Sequence, residues 1–206
     1  MKTKSNTRTL KMVQLALLTA ILLLMDFTPI GYIKLPTGLS ITVIGIPVIV
    51  GAITIGPAGG AILGAVFGLT SFSQAFRGDP FGTLLLSINP LGLFVTCMVP
   101  RILMGWLTGL IFKGLKKINP TNAITYVIAS LSGSLLNTVL FMTTLMLFFY
   151  NEPVFQEQVV GLNATNVFTL IIAMVGINVV TEAIASVVIG TAVSKPVDML
   201  NQKSLS

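Results

Sequence analysis

The 206-residue chain contains no histidine and only one cysteine, Cys97. Without imidazoles there are no His-dependent metal sites and no serine–histidine catalysis. One thiol cannot form an intrachain disulfide, and Cys97, inside an apolar run, reads as a small packing residue. Charge is scarce as well: 9% of residues are Asp, Glu, Lys or Arg, and only six are acidic. There is no paired-carboxylate motif, no Walker loop and no thiol pair, so the chain reads as a non-enzyme without a cofactor or metal of its own. No file of acidic residues is available to relay protons, and no half-to-half repeat of the kind found in self-powered transporters stands out. What these absences leave is a binding module lacking its own engine.

What the chain has in abundance is apolar sequence. Hydrophobic residues make up 54% of it, and its mean hydropathy is +0.95. A soluble domain of this size has no way to hide so much apolar surface from water. Six long runs carry it: Leu10–Phe27, Leu39–Ile55, Gly60–Phe76, Leu84–Phe112, Ala123–Tyr150 and Thr165–Val193. Each approaches or exceeds the ~17–25 residues that cross a hydrocarbon core. The expected fold is a single all-α membrane domain over residues 1–206, a bundle of six transmembrane helices.

Orientation follows from the cations. Lys2, Lys4, Arg8 and Lys11 lie at the start of the first run, Lys113, Lys116 and Lys117 after the fourth, and Lys195 and Lys203 after the sixth. Six crossings put all nine on one side, against Lys34 and Arg77 on the other. The positive-inside rule makes the first side cytoplasmic, with both termini there. The net charge of +6 is thus a matter of topology. Nucleic-acid binding is a poor competing reading, because no folded basic domain stands behind the scattered cations. No small-residue cleavage pair follows the first run, so it is expected to be a retained helix and not a signal peptide.

In lipid, helices pack closely through small residues. Gly56, Gly60, Gly64 and Gly68 form one such stripe, and Gly105 and Gly109 another. Pro47, Pro90 and Pro100 are each expected to remove a backbone donor from a helix interior. The stretch from Ser87 to Gly92 suggests a loosened helix at the outer end of the fourth run.

Polar groups inside the runs mark the candidate site. Arg101 costs about 2.5–3.5 kcal/mol to place near a helix centre, so a partner is expected. Arg101 precedes Lys113 by 12 residues and Glu182 precedes Lys195 by 13, which puts both roughly 18–20 Å above the cytoplasmic face. An Arg101–Glu182 ion pair is expected. Asn137 and Asn178 fall a little further out, and Gln74, Arg77 and Asn89 near the outer ends of their runs. Phe72, Phe76, Phe81 and Tyr150 supply apolar walls. A few convergent polar groups in an apolar lining suit a small-molecule site.

The pair in Ala16-Leu17-Leu18-Thr19-Ala20, the six runs, and the stretches Gly45–Gly51 and Gly56–Gly68 joined by a Gly-Pro turn together resemble an S component, the substrate-binding membrane subunit of an energy-coupling factor (ECF) transporter. The resemblance covers essentially the whole chain and implies a multi-pass subunit of the prokaryotic cell membrane. It also implies a pocket near the outer face, formed by helices four to six and capped by the loop Thr28–Gly38 and the turn Arg77–Pro80. Ala16 and Ala20 would dock on a transmembrane coupling subunit driven by two cytoplasmic ATPases, which are the users of ATP. The loaded subunit would topple in the bilayer to deliver a vitamin inward.

The segment Phe67–Phe72, followed by Arg77, looks most like the pantothenate-type members. Folate, a hydroxymethylpyrimidine and a pyridoxine-like ligand are the alternatives within the family. A self-sufficient secondary transporter and a purely structural subunit are the alternatives outside it. An anionic ligand would use Arg77 or Arg101, and Arg77 becomes the better carboxylate anchor if Glu182 neutralises Arg101.

Overall fold

The computed structural model describes residues 2–28, 31–34, 40–118, 122–153 and 179–203. Helix α1, Lys2–Phe27, leads into a short antiparallel hairpin of β1, Tyr32–Lys34, and β2, Ser40–Thr42, with Ile33 opposite Ile41. Four further helices follow in α2, Ile46–Thr54, α3, Pro57–Gln74, α4, Pro80–Ile88, and α5, Pro90–Ile118. Helix α6 spans Ala123–Phe149. The last helix, α7, is described over Val179–Asn201 and contains a π-helical stretch, Ser186–Gly190. The sixth apolar run is described only from residue 179 onward, so its first half, Asn178 included, lies outside the described residues.

The architecture of the described residues is all-helical apart from the hairpin. Among the described residues, four helices are long and apolar enough to cross a membrane: Arg8–Phe27, Pro90–Ile118, Ala123–Phe149 and Val179–Asn201. The second apolar run does not form the helix expected of it, and the fourth breaks within the Ser87–Gly92 stretch expected to be loosened. Helix α2 has only nine residues, because the start of that run is spent on β2 and a turn. The fourth run is cut in two at Asn89, whose extended backbone (φ −149°, ψ 92°) ends α4 before Pro90 opens α5.

The prolines account for these breaks differently from the sequence expectation. Pro47 and Pro90 sit in the first turns of α2 and α5, where the missing N–H has no helical partner to lose. Of the three, Pro100 lies inside its helix, where it does remove a donor. Between α2 and α3 the chain turns at Gly56 with φ 109°, a conformation that a side chain resists.

Helix α2 is buried along its whole length. Its Val48, Ile49 and Ile53 meet Leu63 and Phe67 of α3, Met104 and Phe112 of α5, and Tyr126 and Ala129 of α6 in the larger core. A second core lies toward the other end, around Leu85, Leu93, Cys97, Met142, Leu145 and Phe149.

The glycine stripes form the tightest seam. A methyl at Gly60 would strike the Gly105 carbonyl, and one at Gly105 the Gly60 carbonyl. At Gly64 it would strike the Arg101 carbonyl, and at Gly109 it would come within 2.6 Å of Pro57 Cα. Helices α3 and α5 therefore touch backbone to backbone. Gly64→Ala is expected to cost about 1–3 kcal/mol through overpacking. Gly114, at the end of α5, faces open space, so Gly114→Ala is expected to be neutral. Unfolding temperatures of the two variants in detergent measure the contrast.

Candidate functional site

Among the described residues, three polar groupings hold Gln74, Arg77, Arg101 and Asn137 of the sequence-derived site residues. The first joins α1 to α3. Asp26, its side chain fully buried, pairs with Arg77 and accepts a hydrogen bond from Gln74 Nε2 at 2.6 Å. Arg77 also reaches Ser73 Oγ at 2.9 Å, and its guanidinium lies 4.7 Å from the Phe27 ring centre. A buried carboxylate needs a cation and donors to remain charged, and α3 supplies both from its last turn and the turn just after it. Gln74 and Arg77 thus clamp α1. The Arg77 guanidinium faces a protein carboxylate, so its charge is already compensated.

The second grouping is centred on Arg101, 7% exposed in the middle of α5. Its Nη1 donates to the Thr96 carbonyl at 2.7 Å, and Nη2 lies 3.5 Å from Ser71 Oγ on α3. Two rings enclose the guanidinium: Phe141 of α6 at 4.4 Å and Phe67 of α3 at 5.4 Å from their centroids. Cation–π contact of this kind gains strength when water is excluded. The result is a buried cation held between α3, α5 and α6 with an aromatic ring on two of those helices.

The third grouping runs down α6. Ser130, Ser134 and Asn137 share one face with Phe141, at helical spacing. Among the described residues, the Ser130 and Ser134 hydroxyls and Asn137 Oδ1 are buried without a hydrogen-bond partner, as is the Thr108 hydroxyl on α5. By contrast Ser132 and Thr143, on other faces of α6, bond to carbonyls of their own helix, as does Thr144 below Phe141. Buried polar atoms are nearly always satisfied by protein, water or ligand, which marks this face as polar in use. Asn137 lies one turn from Phe141, next to the Arg101 enclosure.

The remaining candidates fall elsewhere. Asn89 Oδ1 accepts from Gly92 N at 2.8 Å and so caps the start of α5, a structural duty that any Asn, Asp or Ser performs at this position. Glu182 lies half-buried on α7. Phe72 packs edge-on to Phe76 and Phe94, both at 5.3 Å, whereas Phe76 and Tyr150 are exposed. Ala16 and Ala20 are exposed on α1, on a face shared with Val13, Leu17 and Leu24.

Residues 10–194 match the family model described as "ECF transporter, substrate-specific component". The chain belongs to that family. It is therefore a subunit of a membrane transporter and not a member of an enzyme family. This S component is 32% identical over 162 residues to a protein of Lactococcus lactis subsp. cremoris named "Pantothenic acid transporter PanT", covering 74% of each chain. It is 28% identical over 195 residues, covering 92% of each chain, to one of Leuconostoc mesenteroides subsp. mesenteroides named "Pantothenate transporter PanT".

Asp26 was absent from the sequence-derived site of this S component, as were Ser71, Thr96 and Phe141. A signal for Asp26 existed: it is the one acidic residue in the first apolar run, at the same outer end as Arg77. Nothing comparable marked Phe141 among the chain's 12 phenylalanines. Arg77→Ala, which leaves Asp26 buried without its cation, is expected to cost about 3–5 kcal/mol, at the lower end because Arg77 is partly solvated. The double variant D26A/R77A is expected to be milder than R77A alone. A double-mutant cycle on thermal unfolding in detergent checks the sign.

Proposed function

We propose that this S component captures pantothenate at the outer face of a prokaryotic cell membrane and delivers it inward as part of an ATP-driven ECF importer. The observation that carries the substrate is that both relatives above are named for pantothenate transport. The nine cations of the first, fourth and sixth run ends support an orientation with both termini inside, and the family assignment supports six spans. In this reading the coupling subunit and two ATPases supply the energy, and the chain itself needs no cofactor.

Pantothenate carries one carboxylate, which in an apolar pocket requires a cation or several donors. Arg101, buried in the middle of α5, is the proposed anchor, and Arg77 is the tie to Asp26. The Phe67 and Phe141 rings lie against the guanidinium, and its planar N–H fork suits a carboxylate in bidentate geometry. Asn137 offers an amide to the hydroxyl or amide groups of the ligand.

The exposed Ala16/Ala20 face of α1 supports docking on the coupling subunit, since small residues let another helix approach closely. Toppling would then carry the loaded pocket past that surface. Ala16→Trp is expected to abolish uptake while leaving pantothenate binding by the isolated subunit unchanged. Loss of binding instead would remove the docking role.

The substrate itself is tested by calorimetry on the detergent-purified chain. Pantothenate is expected to bind one to one, and its alcohol analogue, which lacks the carboxylate, to bind roughly 10–150-fold more weakly, the worth of one charged hydrogen-bonded contact. Arg101→Gln is expected to erase that discrimination. Equal affinity for acid and alcohol in the unaltered chain would remove Arg101 as anchor, and silence toward both from folded protein would remove the substrate.

A further inference from the structure

The cavity at the opposite end of the molecule has no role in the reading above. About 370 Å³ in volume, it lies where the α2–α3 turn meets the ends of α5 and α7. Its walls are apolar at Ile53, Ile55, Pro57 and Phe112, and cationic at Lys113, Lys116 and Lys117. The three lysines differ in their surroundings. Lys116 is neutralised by the buried Asp198, which also accepts from Tyr126 Oη at 2.7 Å. Lys113 and Lys117 are exposed and have no carboxylate partner among the described residues.

Two further features add to this asymmetry. The 18-residue helix α3 begins at Pro57 on the cavity wall, so the positive end of its dipole points there. On α5, Trp106, Leu110, Lys113 and Lys117 fall on one stripe at helical spacing. Trp106 and Leu110 are exposed at 45% and 40%. An apolar track on the membrane-facing surface therefore ends in two uncompensated cations beside a cavity.

We propose that this cavity holds the phosphate of an anionic phospholipid, with Lys113 and Lys117 as its counter-charges and an acyl chain along Trp106 and Leu110. The shared recognition chemistry is a phosphate group, and the apolar track selects the lipid over a free phosphate. Basic residues near a membrane surface attract anionic lipid in this way. The site is independent of the pantothenate reading and does not depend on its outcome.

The experiment uses the detergent-purified full chain in micelles doped with phosphatidylglycerol or phosphatidylcholine. Native mass spectrometry reads retained lipid, and thermal unfolding reads stabilisation. Phosphatidylglycerol is expected to be retained and stabilising, and K113A/K117A to hold it on the order of tenfold more weakly. K113R/K117R, which keeps the charge, is expected to restore retention. R8A/K11A removes the same charge at the N-terminal end of α1, outside the cavity, and is expected to leave it unchanged. Equal losses in K113A/K117A and R8A/K11A, or equal retention of phosphatidylcholine, overturn the site. Stabilisation by inorganic phosphate or glycerol phosphate matching that of the lipid overturns the lipid assignment and leaves a soluble phosphate as the ligand.

Discussion

Backbone contact between α3 and α5 is the constraint on which the rest of the bundle depends. In lipid there is no hydrophobic drive pressing one helix onto another, so stability comes from close van der Waals packing and satisfied polar groups. At Gly60, Gly64 and Gly105 the two helices come so close that a single methyl on either would meet the other's carbonyl. That approach fixes the separation and register of the pair. It also builds the site, because Phe67 and Ser71 continue the face of α3 that starts at Gly64. They therefore meet the Arg101 side chain that leaves α5 at the same crossing.

With that pair set, charge is disposed of in a graded way. Arg77 at one end and Lys116 at the other are each matched by a buried aspartate, Asp26 and Asp198. Both pairs join helices distant in sequence, and both are anchored by a second donor, Gln74 in one case and Tyr126 in the other. Arg101, deeper in the bundle, is held differently, through a backbone carbonyl, a distant hydroxyl and two rings. A guanidinium set among rings in a dry interior offers its planar N–H fork to an arriving carboxylate in bidentate geometry. That setting is the basis of the ligand site proposed in the middle of the bundle, with the two aspartate pairs serving as ties at its ends.

Helix α1 shows the same division. Its Gln14 side chain donates to Asn201 at 2.8 Å, and Asn201 in turn lies 3.4 Å from the Thr54 carbonyl. Twelve residues further on, Asp26 meets Arg77 and Gln74. The helix is thus tied to the bundle by polar contacts roughly 18 Å apart, while Met12, Val13, Leu17 and Leu24 remain exposed. A helix fastened this way presents its outer face to lipid or to another subunit without loosening the core behind it.

The amino-acid sequence by itself determined the membrane character, the helical class and the glycine seam. These rest on composition or on short spacings along one helix, whereas the family rests on a resemblance carried by motifs across the chain. The sequence misjudged the second run, because hydropathy does not distinguish a strand and a turn from a helix when both are apolar, whereas the break at Asn89 falls within the Ser87–Gly92 stretch expected to be loosened. Pro47 and Pro90 likewise have opposite meanings at the start and in the middle of a helix, and only the observed helix ends decide which applies. The tertiary structure alone decided that Asp26 takes Arg77 and Gln74, that Asn89 caps α5, and that Phe141 faces Arg101. Those pairings join residues 40 or more positions apart or depend on where a helix begins, and side-chain reach across helices is set by crossing geometry that no local spacing encodes.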